Sequence, residues 1–259
     1  MTIFTIKITS DPVCPQCYLG KKRLDRAIQL YKRVIPDGKH DTFIIEWLPF
    51  YLDRQPTTAR TDTQLSCNTA TKTCNQSSSM PLADRMLQRF GGSATTAEAM
   101  QACLRSKGQN EGISFSFGSR IGSTRDAHRL IHFAGLNQTQ QNTRTGEIQN
   151  SVVTELFRRY FEEDGDITSH HMLVEVGEQA GLDAEEVRDW LRSDQGGQEV
   201  DDLADQAVRE GVKGVPVFVI TATQSEDGDH GRGEEKVQVD GAQDVEDFLG
   251  EFTRLCGRV

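Results

Sequence analysis

The chain has 259 residues, with 29 Lys and Arg against 39 Asp and Glu for a net charge of −10. An acidic surface repels nucleic-acid backbones, and no apolar run approaches the roughly 20 residues that span a bilayer, so neither nucleic-acid nor membrane partners are expected. The length suits two domains or one domain with a large insertion, and six cysteines are too few for a disulfide-stapled scaffold.

The opening "MTIFTIKITSD" alternates apolar and polar residues and predicts a strand over residues 2–9. It has neither the basic flank nor the continuous apolar stretch of a signal peptide, so a cytoplasmic protein is expected. The glycosylation sequons at Asn75 and Asn137 then carry no expected function. "DPVCPQCYLGKK" follows at once and places Cys14 and Cys17 at a strand–helix junction. Leu24, Ala27, Ile28, Tyr31 and Ile35 recur at helical spacing, Pro36-Asp37-Gly38 ends the helix, and "TFIIEWLPF" reads as a second buried strand. The first 50 residues thus form a βαβ unit.

Residues 53–80 are rich in Thr, Ser, Asn and Gln and read as a long polar loop. From 81 to about 210 the pattern is helical throughout, with capping boxes expected at Thr95/Glu98, Ser123/Asp126 and Asp183/Glu186. After Gly211, "GVPVFVI" and "KVQVD" are strands flanking a polar loop, and "AQDVEDFLGEFTRL" is a closing helix. The expected architecture is α/β: a sheet domain of residues 1–52 plus 200–259, interrupted by a helical insertion of residues 53–199.

Three chemistries compete for the Cys14/Cys17 pair. A zinc half-site needs two more ligands at knuckle spacing. Cys67 and Cys74 stand in the polar loop, and His128 and His132 stand at i, i+4 on a helix without a third ligand, so no metal is expected. His128 reads as packed, His132 as half-exposed, and His170 and His171 as solvated at a helix start. A structural disulfide would close too short a loop to remove much entropy from the unfolded chain. The redox reading explains more. With Cys14 at the N-cap and Pro15 at the first helical position, the helix terminus presents free N–H groups to the Cys14 sulfur. Such a site favours thiolate and gives Cys-x-x-Cys cysteines pKa values from about 3.5 to about 7. Cys17, one turn on, is placed to resolve a mixed disulfide. The proline opening the strand in "GVKGVPVFV" makes Val215-Pro216 a candidate cis peptide that exposes the Val215 backbone to a substrate chain.

With these features in place, the chain resembles the DsbA-like thioredoxin family, and within it the FrnE-like branch. The resemblance spans almost the whole sequence. It rests on "DPVCPQCYLGKKRLDRAI", "STRDAHRLIHFAG", "VVTELFRRYFEEDGDITSHHMLVEVGEQAGLD", "AVREGVKGVPVFVI" and "GAQDVEDF". It implies a thioredoxin fold with a helical insertion, a nucleophilic Cys14, a resolving Cys17 and a cis Pro216. The sequence departs from the family at Gln16, where the FrnE-like branch carries Trp and DsbA proper His. It departs again in the length of residues 53–80 and 221–236. Related branches, the 2-hydroxychromene-2-carboxylate isomerases and kappa-class glutathione transferases, carry Ser where Cys14 stands.

The resulting expectation is a thiol–disulfide oxidoreductase; the alternative is a glutathione-dependent isomerase or transferase acting on a small metabolite. No tightly bound cofactor is expected, and glutathione is a candidate co-substrate. Partners are proteins or small molecules carrying a disulfide or thiol, met by a monomer or homodimer. The substrate groove is expected between the Cys14 junction with Pro15 and Gln16, the Val215-Pro216 turn and the Gly241–Gln243 turn, where Gln243 either donates a hydrogen bond to a bound peptide or glutathione or is simply solvated in the first helical turn. Phe115, Phe117 and His128 are expected to line it. Cys67 and Cys74 are candidates for a second disulfide, and Cys103 and Cys256 are expected to be packed.

Overall fold

The computed structural model describes residues 1–53, 79–140, 146–224 and 235–257. Strand β1 (Thr2–Ser10) leads into helix α1 (Pro15–Val34), and strand β2 (Thr42–Pro49) returns parallel to β1. Far along the chain, β5 (Val217–Gln224) pairs antiparallel with the other side of β1, and β6 (Glu235–Asp240) pairs antiparallel with β5. The sheet order is β2-β1-β5-β6, and α9 (Val245–Cys256) packs against α1 on one face. This is the thioredoxin fold. Strand β1 is central because "TIFTIKITS" carries Phe4, Ile6 and Ile8 at period two, all fully buried.

The insertion contains α2 (Leu82–Arg89), α3 (Ala94–Asn110), α4 (Arg125–Gln140), α5 (Glu147–Glu162), α6 (His170–Gln179) and α7 (Ala184–Arg192). Helix α8 (Gly197–Arg209) then leads back to β5. The block is not helical throughout. Met80–Pro81 (β3) pairs with Arg120–Ile121 (β4), and residues 113–119 between α3 and β4 have no regular secondary structure. Short apolar alternation in "ISFSFG" was masked by the helical pattern on both sides.

Two of the three expected capping boxes are displaced. Helix α3 starts after Ser93, whose side chain accepts from Thr96 N–H. Helix α4 starts after Thr124, whose carbonyl accepts from His128 N–H. Asp183 does cap α7, accepting from Glu185 and Glu186 N–H. A reciprocal capping box, Asp244 with Asp247, starts α9.

The insertion docks on the outer edge of β2. Gln149 of α5 accepts from Trp47 N–H at 2.9 Å and donates to Ile131 O at 3.2 Å, and Trp47 Nε1 donates to Asn150 Oδ1 at 3.3 Å. An edge strand that would otherwise offer unpaired backbone is thereby partly covered. The close approach requires Gly146 at the start of α5: its φ is +77°, and a Cβ there would clash with the Ile45 carbonyl oxygen. Gly146→Ala is expected to destabilise the protein by about 3 kcal/mol, from backbone strain and the displaced β2 edge together. A urea unfolding midpoint checks this, and an unchanged midpoint would contradict the docking geometry.

One buried apolar cluster runs through both parts, from Phe4, Ile6 and Phe218 in the sheet to Leu156, Phe157 and Leu173 in the insertion. Tyr18 of α1 is one contact between them, stacked on Phe157 and Phe161 with centroids 5.1 and 5.8 Å away. Arg129 of α4, 2% exposed, donates to the carbonyls of Trp190, Ser193 and Gln195. It thus satisfies acceptors that the end of α7 leaves unpaired.

Candidate active site

Cys14 is the N-cap of α1 and Pro15 its first helical residue. Backbone bonds from Cys17 N–H and Tyr18 N–H to Cys14 O close the first turn at 3.0 and 3.3 Å. Both thiols are free, and both residues are buried, Cys17 completely. The Cys14 thiol lies below the ordinary cysteine range. The Cys17 thiol hydrogen-bonds its sulfur, and the N–H groups of Cys17 and Gln16 add to that, against the opposing effects of burial and the Asp11 charge. The Cys17 thiol is pushed well up by burial and by its neighbour Cys14. The pair is therefore asymmetric: one sulfur tends to thiolate and the other holds its proton.

The chain returns to this point from the other end. Cys14 Sγ lies 3.6 Å from Val215 O, and the Val215-Pro216 peptide bond is cis. Val215 precedes the first ladder residue, Val217, and its N–H has no partner among the described residues. Strand β6 brings Gly241 back beside it, with Gly241 N–H donating to Pro216 O at 2.8 Å. Cys14, Val215, Pro216 and Gly241 are thus brought together. The Gln243 amide faces inward on its own turn, donating to Asp240 O at 2.7 Å.

Other expected residues fall elsewhere. Phe115 is buried edge-on against Tyr18 and Phe161, and Phe117 lies outside it under the Arg105 guanidinium. Phe115 thus lies in the contact between α1 and the insertion, and Phe117 packs against the insertion's own Phe115 and Arg105. His128 is buried beneath the dithiol loop, with Nε2 3.1 Å from Phe50 O. Cys103 is exposed on α3, correcting its expected place in the core: α3 buries Ala97, Leu104 and Gly108, which lie on a different face. Cys256 is buried and donates to Thr253 O. His132 is half-buried beside Trp190, and His170 and His171 begin α6 on the surface. Cys67 and Cys74 lie outside the described residues. Among the described residues no group of three or more His, Cys, Asp or Glu is arranged to hold a metal, and no helix is long and apolar enough to cross a membrane.

Asp11, beside the dithiol loop, carries no motif in the sequence. Its carboxyl is 1% exposed and accepts from Val13 N–H at 3.3 Å and Leu52 N–H at 2.8 Å. His128 Nε2 stands 3.9 Å away. Burial pushes the Asp11 pKa up to about 7, against hydrogen bonds from Leu52, Val13 and Thr124. Burial also pushes His128 down to about 4. The available signal was an acid closing an apolar strand three residues before the dithiol.

A sheet of this order, with a dithiol capping its first helix and a cis proline opposite, defines a thioredoxin-fold protein of the kind that carries an inserted helical block. The chain belongs to the DSBA-like thioredoxin domain family, whose model matches residues 5–253. Among solved structures it is similar to the probable DsbA oxidoreductase of Streptomyces coelicolor, at 26% identity and a TM-score of 0.70, covering 99% of this chain and 91% of that one. A protein disulfide isomerase candidate from Nitrosomonas europaea matches at 12% identity and TM-score 0.60, covering 97% of each chain. A 2-hydroxychromene-2-carboxylate isomerase matches at 15% and 0.59, covering 97% and 96%. These two show the shared fold. No curated protein sequence matches the chain.

Proposed function

We propose that this protein is a thiol–disulfide oxidoreductase whose redox centre is the Cys14–Cys17 dithiol. The observation that carries the reading is the position of Cys14 at the helix N-cap with its sulfur against the carbonyl oxygen of Val215, a residue whose N–H has no partner among the described residues. An extended substrate segment pairs with the Val215 backbone, which brings its disulfide onto Cys14. The Cys14 thiolate attacks one substrate sulfur. A Cys14–substrate disulfide forms, the substrate S–S bond breaks, and the other substrate sulfur leaves as thiolate and takes a proton from solvent. Cys17 gives up its proton and attacks Cys14 Sγ. The substrate leaves as a dithiol, reduced by two electrons, and the protein is left as the Cys14–Cys17 disulfide. The same steps run backwards make the protein an oxidant.

In this reading the sheet unit of residues 1–52 and 200–259 carries the chemistry, and the insertion of residues 53–199 supports it. The boundary falls inside α8, which starts at Gly197. A reducing compartment such as the cytoplasm favours the reductase or isomerase direction, with glutathione or another small thiol regenerating the dithiol. Cys67 and Cys74 are a candidate second pair, which peptide mapping without reduction tests.

Insulin precipitation in dithiothreitol tests the reading. The wild-type protein is expected to accelerate it, and a rate equal to the protein-free control would refute it. Thiolate absorbance followed against pH is expected to show a low-pH step that Cys14→Ser removes and Cys17→Ser retains, displaced upward because the first cause of the low Cys14 value is the Cys17 thiol.

A further inference from the structure

Arg23 of α1 is four-fifths buried and reaches in two directions. Its Nη1 donates to Ala242 O at 2.7 Å and lies 2.8 Å from Asp244 Oδ1. Its Nε donates to Glu111 Oε1 at 2.8 Å. Glu111 closes α3 of the insertion, is 7% exposed, and holds Arg26 through its other oxygen at 2.6 Å. The turn that Arg23 grips is the one whose Gly241 N–H bonds Pro216 O, the residue after Val215. One helical turn before Arg23 stands Gly20, where a Cβ would meet the Phe218 ring at 3.0 Å and Pro216 Cγ at 3.2 Å. Helix α1 thus approaches the start of β5 closely at Gly20 and ties down the neighbouring turn at Arg23.

We infer that Arg23, held by Glu111, is a positioning residue that fixes the Gly241–Gln243 wall against the Val215–Pro216 edge and so sets the grip on extended polypeptide substrates. The inference rests on the proposed disulfide exchange. A fork-shaped guanidinium suits the task because it serves a carboxylate and a carbonyl at once with fixed angles, which an ammonium does not. Gly241, with φ +79°, and the exposed Gln243 give the turn few other anchors to the body of the fold. Arg23 does not touch the sulfurs. Its loss should therefore leave Cys14 reactive and weaken only the contact made by substrate beyond the disulfide itself. A small disulfide, which makes no such contact, should not sense the change.

The test compares two substrates: a polypeptide disulfide and bis(2-hydroxyethyl) disulfide. For Arg23→Ala, KM for the polypeptide is expected to rise about tenfold, equivalent to about 1.4 kcal/mol. Its kcat, the rate with the small disulfide and the alkylation rate of Cys14 by iodoacetamide should stay within about twofold. Arg23→Lys, which restores charge without the fork, should recover part of the loss, and Glu111→Gln should reproduce part of it. An unchanged polypeptide KM in a folded Arg23→Ala protein overturns the inference. So does an equal loss with both substrates accompanied by slower Cys14 alkylation, because that marks a general structural role. A wild-type protein inactive on both disulfides would instead refute the oxidoreductase reading on which the inference stands.

Discussion

Cys14→Ser is expected to lower disulfide exchange to the uncatalysed background, whereas Cys17→Ser keeps the first half of the reaction and stops the second. The difference follows from geometry. Cys14 is at the helix N-cap beside the Val215 edge, 5% exposed, whereas Cys17 is fully covered one turn inside. Only Cys14 can meet an incoming disulfide without rearrangement, and a serine hydroxyl at that position is not ionised at neutral pH and cannot attack sulfur. With Cys17 gone, the Cys14–substrate disulfide has no internal thiol to displace it. It should accumulate as a covalent adduct visible on a non-reducing gel and released by dithiothreitol. Mass spectrometry of the Cys17→Ser protein after mixing with a peptide disulfide checks both halves. An adduct on any cysteine other than Cys14 would remove the assignment of nucleophile. Turnover of a small electrophile that persists undiminished in Cys17→Ser would favour the glutathione-dependent alternative.

The second large effect is on stability. Asp11 and His128 lie 3.9 Å apart beneath the dithiol loop, and burial displaces them in opposite directions. Asp11 goes from 3.8 to about 7, so the native state keeps a proton that the unfolded chain gives up. Its stabilising contribution is complete below pH 3.8 and is lost as pH rises to about 7, a change of roughly 4 kcal/mol. His128 goes from 6.5 to about 4, so the native state refuses a proton that the unfolded chain accepts. Its contribution is complete above pH 6.5 and is lost as pH falls to about 4, a change of roughly 3 kcal/mol. Between pH 4 and 6.5 the two slopes oppose each other and nearly cancel.

Single substitutions should uncover each slope. Asp11→Asn is expected to leave a stability that, relative to the wild-type protein, rises with pH by about 1.4 kcal/mol per pH unit across that window. His128→Gln, which can still donate to Phe50 O, should show the reverse. The amide at residue 11 cannot accept from both Val13 and Leu52 N–H as the carboxyl does, which costs about 1–3 kcal/mol at every pH. The slope, and not the absolute stability, is therefore the measurement: urea unfolding at half-unit steps from pH 4 to 8. Parallel profiles for wild type and Asp11→Asn would show that Asp11 titrates normally and that its burial is relieved by solvent.

Much of the molecule was readable in its residues, because the relevant signals are local. The alternation of Phe4, Ile6 and Ile8, the Cys14-Pro15 helix start and the proline opening "VPVFVI" each act over a few residues, through side-chain period, cap chemistry and fixed φ. They were sufficient to place β1, α1, β2, β5, β6 and α9 and to put the dithiol at the strand–helix junction. The two-residue strands β3 and β4 are not legible because they carry few residues of pattern and the helices on either side dominate any longer window. Cap positions slipped by one or two residues at α3 and α4 because several Ser and Thr stand together there, and only packing selects which one leaves the helix.

By itself the sequence determined the main strands and helices of the sheet unit, the redox-capable pair at a helix terminus and the proline opening β5, since each depends on neighbours along the chain. The tertiary structure alone decided that Asp11 meets Leu52 and His128, that Arg23 meets Glu111 and Ala242, and that Phe115 turns inward. Those partners are 41, 117, 88 and 219 residues apart along the chain for Leu52, His128, Glu111 and Ala242. At such separations periodicity carries no information about which side chains meet. Their meeting is set by desolvation and by the hydrogen bonds that buried polar groups must find.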